Sequence, residues 1–319
     1  AELWERRGLV KTYSLRGTLH IHRADELPLW TAARRAIADG RGERLCDSYG
    51  LEAAQCDAAL AAMAEALDGR YLARQELAEQ VAARVGAWAQ SRLTSIWGDL
   101  VALGAEAGVV CFGPARGNHV TYARADQWIG GWRDIAPEVA LATIFRTYFA
   151  TYGPATYRDF AQWVAGNRLT GAAARQLLAP VAAELAEVTV EGKRAWLLAS
   201  DVDTAWQPAP ESVRLVPQYD CYVLGSRFGR EVIVPPAAQT RIRAYKNGRF
   251  EGAVARPLLL LNGVVAGMWD RRPRGQRLEI LVETFAPLSD SQQRMLAAEA
   301  ARVGAFFGRE ASLTIGALA

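Results

Sequence analysis

Three segments of this chain share one build: a short strand, a tight turn at a glycine, and a second strand. They read LVKTYSLRGTLHIHRAD (9–25), GVVCFGPARGNHVTYARAD (108–126) and LAEVTVEGKRAWLLASD (185–201). A two-stranded hairpin alone is marginal in water, so each must bury a face against the helical stretches around it. Helices closed by a hairpin form the winged-helix arrangement, a common DNA-reading module. Three such hairpins constrain the chain to a tandem α+β architecture with duplex DNA as its leading partner. The repeat is one of pattern and not of identity.

The helices follow from caps and apolar spacing. The opening, Glu2 to Arg7, reads as the last turns of a helix stopped by Gly8. The first hairpin therefore looks like the end of a module that begins upstream of Ala1. Asp25-Glu26 leads into a helix over 27–39, a Gly/Arg-rich connector (40–44) follows, and an alanine-rich helix covers 52–67. Ala73–Val85 is helical, Ser91 caps a helix over 92–104, and the second hairpin carries Pro114-Ala115-Arg116-Gly117 at its tip. In the third module a helix ends at Gly153-Pro154, Thr156 and Thr170 are caps, and Pro180 should kink a helix over 171–185. After Gln207–Pro210, strands are expected at 213–216, 219–224, 231–234, 256–261, 264–271 and 277–285, with a closing helix over 289–307. The expected division is 1–26, the wing of a partial first winged helix; 27–135, a second winged-helix domain; 136–206, a third; and 207–319, a β-barrel-like domain with a terminal helix.

The net charge of +3 is weak for a nucleic-acid binder taken whole. Its distribution is more informative: residues 213–319 hold 15 Arg and Lys against 9 Asp and Glu, leaving 22 against 25 for residues 1–212. Lysine occurs only at 11, 193 and 246, and arginine supplies the rest. Arginine suits bidentate phosphate contact, although a GC-rich genome produces the same bias. No apolar run is long enough to span a bilayer, and no leader of the secretory kind opens the chain. The expectation is a cytoplasmic, nucleoid-associated monomer. Cys46, Cys56, Cys111 and Cys221 are scattered and read as buried thiols, not as a disulfide or metal framework.

Basic residues beside glycine mark each hairpin turn: Arg16, then Arg116 with Asn118 and His119, then Lys193 with Arg194. Glycine lets a turn approach a phosphate backbone, and the cation displaces condensed counterions. All histidines (His20, His22, His119) lie in these hairpins; His20 and His22 share a strand face but fall short of the three or four ligands of a zinc site. Most tryptophans (97, 128, 132, 163, 196, 206) sit on apolar faces and read as core. Trp269 is set apart by Arg271, Arg272, Arg274 and Arg277 around it, and is read as a DNA-stacking residue in a basic hairpin. No P-loop, dinucleotide loop or nucleophilic triad is present.

The stretch LWERRGLVKTYSLRGTLHIHRADELPLW (3–30) resembles the winged-helix DNA glycosylases of the AlkZ/AlkX type, most recognisably at Leu15-Arg16-Gly17-Thr18-Leu19-His20. FGPARGNHVTY (112–122), TYGPATYRDFAQW (151–163) and VRLVPQYDCYVLG (213–225) continue the likeness in the family's order. The resemblance implies excision of alkylated or interstrand-crosslinked purines from DNA without a cofactor. It also implies a Gln–apolar–Gln or Gln–apolar–Asp pair in the winged helix ahead of the first hairpin, hence ahead of Ala1. Arg16, Thr18 and His20 are the positions that match a family signature near the active site. His20-Ile21-His22 has similar spacing but lies on the hairpin and does not replace the pair. The alternatives are a winged-helix DNA-binding protein without catalysis, such as a regulator, and a protein-interaction scaffold.

Overall fold

All three hairpins form in the computed structural model, which describes residues 1–39, 46–95, 99–204, 210–225, 228–244 and 256–318. Strand β1 (Leu9–Tyr13) pairs antiparallel with β2 (Leu19–Arg23). A two-residue strand, β3 (Leu72–Ala73), joins the second hairpin, in which β4 (Val110–Arg116) pairs with β5 (His119–Arg124). The third hairpin is β6 (Leu185–Val190) with β7 (Lys193–Leu198). Its turn places Glu191 at φ 49° and Gly192 at φ 77°, the doubly left-handed geometry that matches strand twist. The first two hairpins end alike. Arg23 bonds Asp25 and Arg124 bonds Asp126, both at 2.8 Å, and the Ala24 and Ala125 N–H groups donate back to Gly8 and Val109.

Helices α1 (Leu27–Asp39), α2 (Ala53–Ala66), α3 (Arg74–Val85), α4 (Trp88–Thr94) and α5 (Asp99–Glu106) lie between the first two hairpins. Met63, Leu67, Leu77, Leu93, Leu100 and Leu103 bury their apolar faces against Phe112 and Tyr122 of the second hairpin. Each such side chain stabilises by about 1.5–3 kcal/mol. On α5, a Cβ at Gly104 would come within 2.7 Å of Val110, so this helix reaches the strand only because glycine stands there. Next come α6 (Ala125–Trp128), α7 (Pro137–Tyr152), α8 (Tyr157–Ala165) and α9 (Gly171–Leu177). Phe145, Tyr148, Phe149 and Phe160 interlock between α7 and α8. The Thr156 and Thr170 hydroxyls accept from the Asp159 and Ala173 N–H groups, as caps should.

The contacts divide the chain into two units, Ala1–Val202 and Asp203–Ala319. In the second, β8 (Val213–Val216), β9 (Leu258–Leu261), β10 (Val264–Arg274), β11 (Arg277–Thr284) and β12 (Glu310–Ile315) form one sheet in the order β12-β11-β10-β9-β8. Asn262 and Gly263 turn β9 into β10 with φ of 50° and 79°. Short helices α10 (Cys221–Gly225), α11 (Arg230–Ile233) and α12 (Pro236–Ala244) precede β9, and α13 (Asp290–Phe306) lays Leu296, Ala300 and Val303 on the sheet. The buried Glu299 of α13 accepts the Leu215 N–H at 3.0 Å and pairs with Arg302, which binds α13 to the edge strand β8.

Several expectations are corrected. Residues 2–7 form hydrogen-bonded turns, not a helix. Ser91 sits inside α4, and Ser95 ends that helix; Ile96 and Trp97, expected on its core face, lie outside the described residues, as do Trp206, Lys246 and the 40–44 connector. Pro180 kinks nothing, because α9 stops at Leu177 and a 3-10 segment covers Ala179–Glu184. Where strands are expected at 219–224 and 231–234, the chain forms the short helices Cys221–Gly225 and Arg230–Ile233. The closing helix is followed by β12, which pairs parallel to β11. Among the described strands the sheet is open, with β8 and β12 at its edges, and is no closed barrel. Cys46, Cys56 and Cys111 are buried, but Cys221 is exposed.

Candidate nucleic-acid interface

The first hairpin turns one polar face inward. Val10 opposes His22 and Thr12 opposes His20, so Thr12, His20 and His22 share that face, while Leu19 and Ile21 point out to solvent. Trp30 of α1 packs on His22 with ring centres 4.9 Å apart, and His20 stacks on His22 at 5.7 Å, nearly parallel. Trp163 of α8 meets Trp30 edge-on at 6.1 Å. The hairpin turn is fixed to α8, because the Arg16 guanidinium donates to the Trp163 carbonyl while its backbone holds φ 59°. Thr18 donates to the Leu15 carbonyl and is exposed. Arg16, Thr18 and His20 are thereby brought together.

The interior behind this face is ionic. Arg34, one turn beyond Trp30, forms a buried ion pair with Glu106 of α5 and donates to the Tyr13 carbonyl at 3.3 Å. Tyr49 hydrogen-bonds the same carboxylate, and Arg168 stands 4.0 Å from it. Burial, with Arg34 and the neighbouring imidazole opposing positive charge, lowers His22 to about 3. His20 is lowered too, by desolvation and then by Arg16 and Arg34, against a bond to the Thr18 carbonyl. Its Nδ1 donates to that carbonyl at 2.9 Å, which leaves Nε2 as the acceptor of a neutral ring. The Ser14 hydroxyl, His22 Nε2 and the Trp30 indole N–H are buried without a hydrogen-bond partner among the described residues, so this face holds unused polar capacity. A neutral imidazole acceptor beside arginines suits the orientation of water or of a base edge near a phosphate backbone.

The other candidate residues are spread over both units. In the second hairpin Arg116 pairs with Glu76 and donates to the Tyr71 carbonyl, while Asn118 and His119 are exposed at the turn. In the third, Lys193 and Arg194 are exposed, Arg194 pairing with Glu187 at 3.0 Å. In the second unit the Arg271 guanidinium lies 4.1 Å over Phe307 and Arg274 pairs with Glu279 at 3.5 Å, with Arg272 half-buried between them in sequence. Trp269 is not a stacking residue: it is buried, and its indole N–H donates to the Val216 carbonyl at 2.8 Å. Trp30, Arg34, Tyr49 and Glu106 escaped the sequence reading, which singles out His22 only as sharing a strand face with His20. The one available signal was the tryptophan placed just after the RGTLHIH stretch.

Glutamine–apolar–aspartate spacing occurs in this chain at Gln55-Cys56-Asp57 and Gln218-Tyr219-Asp220, but both triplets serve local structure. Gln55 accepts the Glu52 N–H as part of a helix cap, and Asp220 accepts the Tyr222 N–H. Neither belongs to the first hairpin. Among the described residues no cluster of three or more His, Cys, Asp or Glu is placed to hold a metal ion. No described helix is long and apolar enough to cross a membrane.

The fold is that of an α+β protein with three β-hairpins set among helices. The chain matches the sequence model of the AlkZ-like DNA glycosylases over residues 1–306, and it belongs to that family. It is 30% identical over 266 residues to the interstrand DNA cross-link repair glycosylase of Streptomyces sahachiroi, spanning 82% of this chain and 70% of that protein. The structure superposes on the Streptomyces sahachiroi DNA glycosylase AlkZ with a TM-score of 0.81 and 28% identity, covering 99% of this chain and 83% of the other.

Proposed function

We propose that this chain excises alkylated or interstrand-crosslinked purine bases from double-stranded DNA by hydrolysing the N-glycosidic bond. The observation that carries this reading is likeness to a cross-link repair glycosylase over nearly the whole chain, in sequence and in fold. A purine alkylated at N7 is already cationic, so the leaving group needs little protonation. What the protein supplies is stabilisation of the developing sugar cation and a positioned water. The first-hairpin face has groups of that kind: His20 Nε2 as a neutral acceptor, and Trp30 and Trp163 as flat walls for a base. Arg16 serves as the positioning residue that fixes this hairpin on α8.

In this reading the hairpins are the wings of tandem winged helices divided near residues 26, 135 and 206. Arg116, Asn118, His119, Lys193 and Arg194 at their turns, with Arg271, Arg272 and Arg274 of the β10–β11 hairpin, meet backbone phosphates. The protein works as a monomer near the nucleoid. The test is base release from one duplex carrying a single N7-alkylguanine and another carrying an interstrand crosslink. The resemblance implies a glutamine pair ahead of the first hairpin, so these 319 residues are run beside a form that includes any segment preceding Ala1. Abasic sites in the lesion strand are the expected result. Tight duplex binding by both forms without base release would favour the non-catalytic DNA-binding alternative.

A further inference from the structure

At the foot of the second hairpin, away from its turn, a concave pocket of about 240 Å³ is lined by Arg7, Arg70, Tyr71, Arg124, Gln127 and Trp128. Its three guanidinium groups are not equivalent. Arg124 is held between Asp68 and Asp126 at 2.8 Å from each, and Gln127 bonds the same Asp68, so this side of the pocket is a neutralised frame. Arg7 has no carboxylate partner among the described residues. It lies 4.7 Å over the ring of Trp128, donates to the Tyr71 hydroxyl at 2.8 Å, and holds its backbone at φ 55°, a conformation that non-glycine residues seldom keep without surrounding constraint. Arg70 is exposed and forms no ion pair among the described residues. Tyr71 ties the pocket to the hairpin above, since its carbonyl accepts from Arg116. Two cations without a carboxylate partner among the described residues therefore line a preformed hollow, one of them fixed from two sides before any ligand arrives.

The geometry points to a phosphate-binding site at Arg7 and Arg70, occupied by a backbone phosphodiester of the bound duplex. The inference rests on the DNA-binding reading above and extends it, because the duplex track then continues from the hairpin turn to the hairpin foot. The Tyr71 hydroxyl and the Trp128 face orient Arg7 so that its remaining N–H groups are available to the anion, the arrangement in which arginine binds phosphate best.

The test is the salt dependence of affinity for an undamaged duplex. Each phosphate contact contributes roughly 0.9 to the slope of log K against log salt. Arg70→Ala should flatten the slope by about that amount, and R7Q/R70Q by about twice as much. Arg84→Ala, which removes an arginine paired with Glu65 on α3, should leave it unchanged. Circular dichroism checks that the variants fold, and the exposed Arg70 makes the single variant safe in any case. Equal slopes for Arg70→Ala and the natural protein overturn the proposal. Quenching of tryptophan fluorescence by inorganic phosphate that Arg70→Ala abolishes, with no change in the DNA slope, also overturns it, marking a site for the free anion. If the natural protein shows no salt-dependent duplex binding, it is the DNA reading itself that has failed.

Discussion

The first and third hairpins carry the same sequence signature, a basic residue beside a turn glycine, and put it to different use. At the first, the turn is built into the protein: Arg16 reaches the Trp163 carbonyl, and a Cβ on Gly17 would lie 3.9 Å from the Arg168 guanidinium. Behind it are a buried imidazole and a buried ion pair. At the third, a Cβ on Gly192 would meet nothing within 4 Å, and Lys193 and Arg194 stand in solvent. Position next to a turn glycine thus does not assign a role. The Arg16 guanidinium is taken up by a carbonyl of a distant helix, whereas that of Arg194 pairs with Glu187 on the neighbouring strand of its own hairpin.

The largest difference should appear when the ionic support of each hairpin is removed. Glu106→Ala leaves Arg34 buried and unpaired, which costs about 3–5 kcal/mol, and urea unfolding should show it. Glu187→Ala, which breaks the exposed pair with Arg194, should change stability by no more than about 0.5 kcal/mol. Comparable losses from the two would erase the distinction.

Acid should separate the hairpins next. His22 is held near 3 when folded, against an ordinary 6.5, so the folded chain binds fewer protons than the unfolded one. The stability it supports is complete above about pH 6.5 and is lost as pH falls toward 3, by at most about 1.4 kcal/mol per pH unit. His22→Phe should flatten that limb of a pH–stability curve, whereas the third hairpin contains no histidine to contribute. A curve unchanged by the substitution would contradict the burial argument.

Smaller effects sharpen the contrast. Arg16→Ala removes a charged donor from a partly buried carbonyl and should destabilise by about 1.5–3 kcal/mol, read as a lower Tm. Lys193→Ala and Arg194→Ala should leave Tm in place and each flatten the salt slope of duplex binding by roughly 0.9.

The hairpins and the Thr156 and Thr170 caps were legible in the sequence because each is a local arrangement, decided within a few residues. The Arg34–Glu106 pair was not, since its members are 72 residues apart and charges on helices read first as a solvated face. Helices α10 and α11 were read as strands because four or five residues hold no period that distinguishes the two. Trp269 was misassigned for a related reason. Its basic neighbours suggested an exposed surface, but alternation along β10 turns the indole into the core while Arg272 and Arg274 take the opposite face. The paired ends of the first two hairpins, Arg23–Asp25 and Arg124–Asp126, were visible as a repeated Arg-Ala-Asp and gained their meaning only with the strands in place.

On the proposed function, damaged bases are released while the exposed hairpin turns hold the duplex. The most direct measurement is the single-turnover rate of base release from an N7-alkylguanine duplex, as a function of protein concentration, for the natural protein and for the R116A/K193A/R194A variant. The account predicts release by both, with the same limiting rate and a half-saturating concentration raised at least tenfold in the variant. A natural protein that saturates the duplex and releases no base would contradict it, as would a variant whose limiting rate collapses while its affinity is unchanged.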